Sequence, residues 1–103
     1  MLAPARAQAL LGEINGNVVD ATQAAIVGPR VVATNPDTNF SRQTTTNSAG
    51  GYTLADLPPG RYTIVVTAPG FQTYSETGAT VAPNAVLRVD VILTVGLVNR
   101  NRG

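Results

Sequence analysis

A chain of 103 residues, 44% hydrophobic and 13% charged, has the length and apolar content of one compact domain that buries roughly 65% of its unfolded surface. Its net charge of +1, carried by seven arginines of which only Arg100 and Arg102 lie close together, gives no field to hold nucleic acid or an anionic membrane. Cysteine, histidine and lysine are absent, which excludes thiol and imidazole catalysis, Schiff bases, disulfides and the usual zinc sites, and no cofactor is expected.

Residues 1–11 open the chain with Ala7-Gln8-Ala9, the small-residue pattern of a signal-peptidase site, but no apolar stretch of sufficient length precedes it. The segment is read either as the remnant of an export signal or as an ordinary, flexible, alanine-rich N-terminus. Leu2 to Leu11 is the one helical candidate, and Pro4 and the missing N-cap weigh against it.

From Gly12 the pattern changes to period two, with turn residues recurring every ten or so positions, the signature of an all-β sandwich or barrel. Seven strands are expected, at 12–20, 28–35, 39–46, 51–54, 60–67, 71–79 and 85–96. Val31 and Ala33 give a weak alternation before Asn35. The tract Thr44-Thr45-Thr46 runs into Asn47-Ser48-Ala49-Gly50-Gly51, which predicts a hairpin. Pro58 and Pro59 cannot donate to a ladder and must end the strand before them, while Gly60 allows tight re-entry. Tyr62, Ile64 and Val66 then alternate with Arg61, Thr63 and Val65. Pro69 and Gly70 fit the two central positions of a type II turn, after which Phe71 opens the return strand. Leu87, Val89, Val91 and Leu93 make the clearest strand in the chain, with Arg88 and Asp90 on the opposite face. Residues 97–103 are expected as a tail or linker. No run approaches the roughly 18 apolar residues of a membrane-spanning helix.

With these pieces in place, the chain resembles the carboxypeptidase regulatory-like domains, a prealbumin-like family of seven-stranded Greek-key β-sandwiches. The matching segments are Ile14 to Asp20, Val31 to Asn35, Gly51-Tyr52-Thr53-Leu54, Leu57 to Ile64 and Ala68-Pro69-Gly70-Phe71. The resemblance covers roughly residues 12–96, the expected domain. The threonine-rich third strand and Pro58-Pro59-Gly60 are most similar to the domain that precedes the plug and barrel of TonB-dependent-receptor-like outer-membrane proteins. Val27-Gly28-Pro29 departs from the more usual Pro-Gly-Ala order, which shifts the entry of the second strand. The resemblance implies an exported bacterial protein of the periplasm, outer membrane or cell surface. Related sandwich enzymes that hydrolyse hydroxyisourate depend on histidine and lysine, and similar adhesin modules form a Lys to Asn crosslink; this chain has neither histidine nor lysine.

Candidate sites are few. Nothing in the spacing of the six carboxylates brings two together as a catalytic pair. Asp90 shares a face with Arg88 and is expected in a weak surface ion pair. Asn35, Asp37 and Asn39 alternate like calcium ligands, but Phe40 stands where such a loop needs glycine and Thr46 where it needs a bidentate Glu, so a turn is the better reading. Asn39-Phe40-Ser41 is a glycosylation sequon that matters only in a suitable host. Among the aromatics, Tyr52 and Phe71 are expected in the core, leaving Phe40 and Tyr74 as candidate contacts for a glycan. The apolar pattern continues through Val95, Leu97 and Val98, where an overhanging edge strand could pair with a second copy or a partner, Gly96 letting it bend away. The expectation is a non-enzymatic spacer or docking module for a larger protein or neighbouring domain, with carbohydrate binding as the alternative.

Overall fold

The computed structural model describes residues 10–96. Its strands are β1 (Gly12–Asp20), β2 (Arg30–Thr34), β3 (Ser41–Thr45), β4 (Gly51–Leu57), β5 (Gly60–Thr67), β6 (Tyr74–Val81), β7 (Val86–Arg88) and β8 (Val91–Leu93). They form an all-β sandwich of two sheets. In one, β1 lies between β4, antiparallel to it, and β7 and β8, both parallel to it; the other is antiparallel in the order β3-β2-β5-β6. No helix occurs among the described residues. Ala7-Gln8-Ala9 and most of the Leu2 to Leu11 candidate lie outside them; Leu10 and Leu11 have no regular structure.

The core follows from the period-two pattern. Ile14 and Val18 on β1, Val31 and Ala33 on β2, Tyr62, Ile64 and Val66 on β5, and Val89, Val91 and Leu93 at the end of the chain are all buried. Each valine, leucine or isoleucine side chain so removed from water contributes about 1.5–3 kcal/mol. On β4 the inward residues are Tyr52, Leu54 and Leu57, and the last spacing is three rather than two. The extra residue is absorbed at Asp56, in the left-handed region (φ 58°), with a register shift against β1 between Gly12 and Ile14. This bulge carries the strand to Leu57, past the expected end at residue 54, and Pro58 then stops it.

Three further expectations are corrected. The predicted hairpin at residues 44–51 is a crossing between sheets: β3 pairs with β2, and β4 with β1. Thr46 anchors the crossing. Its buried hydroxyl donates to the Ile26 carbonyl (2.7 Å) and accepts the Gly28 N–H (2.9 Å), while Asn47 Oδ1 accepts the N–H groups of Ala49 and Gly51. The expected seventh strand, 85–96, is two short strands, which brings the total to eight. Thirdly, the return strand after the Pro69-Gly70 turn starts at Tyr74 rather than Phe71. The turn itself has the features predicted, with Gly70 at φ 83° and the Phe71 N–H donating to Ala68 O (3.1 Å). Phe71 is half-buried and makes an isolated antiparallel bridge with Val95.

Val95, a candidate for edge-strand pairing, makes that bridge within its own chain. The Gln72 N–H donates to Thr94 O (2.8 Å) and the Gly96 N–H to Gly70 O (2.9 Å), so the segment is tied to its own chain. Leu97 and Val98 lie outside the described residues.

Candidate functional site

The interruption between β7 and β8 is the most unusual local feature of the sandwich. Glu13 pairs with Val86 and Val18 with Val91, so the register against β1 is the same on both sides of the break. The Glu13 N–H donates to Ala85 O (3.0 Å) and the Val89 N–H to Asn15 O (2.8 Å); continued, this parallel ladder would place the Asn17 N–H on the Val89 carbonyl. Side chains take over instead. The Asn17 N–H donates to Asp90 Oδ1 (3.0 Å), and the Val89 carbonyl accepts the Tyr52 hydroxyl (2.5 Å). The turned Val89 peptide occupies the space beside Gly16, where a Cβ would lie 1.9 Å from the Val89 oxygen.

Electrostatics agree with this arrangement. Arg88 holds the Asp90 carboxylate through both oxygens at 3.1 Å, and that bond together with the Asn17 N–H lowers the Asp90 pKa below its ordinary value. The pair is more than half exposed on both sides, so the pairing itself adds little stability. The buried Tyr52 hydroxyl is held neutral, its pKa raised by burial first and by the nearby Asp90 charge second.

On β1 and β4 beside this node lies an open cleft of about 430 Å³, lined by Asn15, Asn17, Asn47, Thr45, Thr53 and Arg88 among others. Its one formal charge, Arg88, is already paired, and the Asn15 amide donates to Glu13 Oε2 (2.9 Å). What remains can hydrogen-bond a neutral polar ligand, and it contains no nucleophile with an adjacent base.

The two aromatic candidates do not meet. Phe40 immediately precedes β3 and Tyr74 opens β6, on opposite edges of one sheet. Both are half-buried and packed against the core. The Arg42 guanidinium stands 5.3 Å from the Phe40 ring centre, within cation–π range. The Tyr74 hydroxyl donates to Glu76 (2.5 Å), and that bond, then burial, pushes its pKa up to about 12. Tyr74 also lines a groove of about 280 Å³ with Gln72, Ile92 and Thr94. The Asn35 region is a turn: the Asp37 N–H donates to Asn35 Oδ1 (2.8 Å), the Asn39 N–H to Asn35 O (2.7 Å), and Asn39 takes a φ of 63°. No group of three or more acidic, His or Cys side chains is gathered among the described residues.

Sequence reasoning placed Asp90 on the surface beside Arg88, and there it is; it missed the bond to Asn17, the turned Val89 peptide and the polar cleft. One signal was available, the glycine of Asn15-Gly16-Asn17 at an inward strand position, where a missing side chain marks a close backbone approach.

Comparison with known proteins agrees with the fold. The model of the carboxypeptidase regulatory-like domain matches residues 13–94. No curated protein matches the chain. Among solved structures, chlorocatechol 1,2-dioxygenase from Pseudomonas putida aligns at 13% identity and TM-score 0.63, covering 81% of this chain and 59% of that one. A protein from Bacteroides uniformis ATCC 8492 proposed to bind carbohydrate aligns at 14% identity and TM-score 0.65, over 80% of this chain and 40% of that one. The dioxygenase domain of a dioxygenase and carbohydrate-binding fusion from Streptomyces sp. SirexAA-E aligns at 13% identity and TM-score 0.69, over 91% and 86%. At these identities the likeness is one of fold.

Proposed function

Because the chain belongs to the carboxypeptidase regulatory-like domain family, a fold that hosts more than one task, we propose that it acts as a non-enzymatic, in-line spacer that docks against its neighbours in an exported bacterial protein. One observation carries this reading: the first strand and the last two are parallel neighbours. The chain therefore enters the sandwich at one end, near Gly12, and leaves it at the other, beyond Leu93. Exposed apolar side chains sort to the same ends, with Leu10, Leu11 and Val86 at the entry and Val27, Ile92 and Val95 toward the exit. These are the places where a flanking domain would rest. Glu13, Asp20, Glu76 and Asp90 each accept hydrogen bonds within the domain, and the hydroxyls of Tyr52, Tyr62 and Tyr74 are all engaged, which supports a structural rather than a catalytic role.

Carbohydrate binding is the second reading, favoured by the neutral hydrogen-bonding cleft at Asn17 and Thr53. The proposed location, in the periplasm, outer membrane or cell surface, rests on the family resemblance and on Ala7-Gln8-Ala9.

The test joins a folded marker domain at each end of the full chain and measures the particle by small-angle scattering. A spacer holds the markers apart, lengthening the particle by about the length of the sandwich. Markers lying side by side would contradict the reading, and chemical-shift changes at Asn17 and Thr53 on adding oligosaccharides would favour the second.

A further inference from the structure

We propose that the sandwich resists extension along the chain, with β1 and the β7–β8 pair forming a shear clamp between the points of entry and exit. The inference rests on the in-line reading above and adds a mechanical task to it. Tension applied at the two ends draws β1 toward the entry and β8 toward the exit. These strands are adjacent, parallel and paired at six positions, Glu13 to Asn15 with Val86 to Arg88 and Val18 to Asp20 with Val91 to Leu93. Their hydrogen bonds cross between the strands, so tension loads the ladder sideways and all at once. An antiparallel hairpin pulled from its open ends instead gives way one bond at a time.

Three features strengthen the clamp. A slip of one residue would turn Ile14 and Val18 out of the core, because side chains alternate between faces, so extension is coupled to exposure of buried surface. The gap between β7 and β8 is spanned by side chains: Asp90 takes the Asn17 N–H, Arg88 pins Asp90, and Tyr52 on β4 holds the Val89 carbonyl. Beyond Leu93 the chain is tied to the second sheet by the bonds from Gln72 to Thr94 and from Gly96 to Gly70. The load thus reaches both sheets.

The experiment is single-molecule force spectroscopy on the full chain between marker domains. The protein has no cysteine, so a second pulling geometry can be built with Arg61→Cys and Thr80→Cys, which lie opposite each other at the open end of the β5–β6 hairpin. The clamp predicts an unfolding force several-fold higher through the ends than through the 61/80 pair. Asp90→Ala, on an exposed side chain, lowers the first force and leaves the second unchanged; Asp90→Asn, which keeps the shape, gives a smaller loss. Equal forces in the two geometries, or an equal fall in both with Asp90→Ala, would overturn the proposal. If scattering shows the markers in line while the forces are equal, the spacer stands and the clamp fails. Markers side by side remove both.

Discussion

Gly16 and Gly70 are needed for different reasons, and substitution separates them. Gly16 supplies space: a Cβ there would collide with the Val89 carbonyl, whose position is fixed by the Tyr52 hydroxyl. Gly16→Ala is expected to destabilise by about 1–3 kcal/mol, the usual range for overpacking. At Gly70 nothing lies within 4 Å of a built Cβ, but φ is 83°. Gly70→Val is therefore expected to lose roughly 1 kcal/mol or more through backbone conformation alone, and Gly70→Asn should recover much of it because asparagine tolerates the left-handed region. Gly16→Asn should recover nothing. Thermal or urea unfolding of the four variants checks this; recovery by Gly16→Asn would contradict the steric account. The role of Gly70 was legible in the sequence because Pro-Gly names its own turn. The role of Gly16 was not, because its partner lies more than seventy residues away and is a backbone atom that carries no sequence signal.

At the scale of elements, the division of the last strand shows where periodic patterns stop informing. Leu87, Val89, Val91 and Leu93 keep strict alternation, and the register against β1 is also kept; only one peptide turns. A period-two reading detects which face a side chain occupies and is blind to where a carbonyl points. The crossing at residues 46–51 was missed for a related reason. A turn-rich segment between two strands looks the same whether the strands pair or go to different sheets, and the decision rests on Thr46, which is tied to the distant loop at Ile26 and Gly28. The β4 bulge was hidden because Leu54 and Leu57 break the alternation that marks a strand. The core faces of β2 and β5 were legible because each keeps that alternation throughout.

The same division leaves a measurable trace in acid. The Asp90 pKa lies below its ordinary value, through its bond to Arg88 and then to the Asn17 N–H, so its contribution is fully present above the unfolded-state value of about 3.9 and fades as pH falls through the lower folded one. The stability difference between the protein and Asp90→Asn should be constant from neutral pH to about pH 5 and shrink below about pH 4. Denaturant unfolding across that range reads the difference directly. A gap that widens on acidification would mean that Asp90 is not held as a carboxylate by these partners.

For the whole molecule, the parallel placement of first and last strands governs everything proposed. It sets the exits at opposite ends, orients the exposed apolar residues toward any neighbours, and puts tension across a ladder in shear. The absence of cysteine allows a direct measurement: spin labels on Leu11→Cys and Val95→Cys, with the distance read by pulsed electron resonance. Asp20 is nine residues past Leu11 and pairs with Leu93, and Val95 follows two residues later. At a rise of about 3.3 Å per residue, the label sites should lie roughly 35 Å apart. A single population near that distance is the predicted result; a population below about 20 Å, the separation expected if entry and exit shared one end of the sheet, would contradict the account.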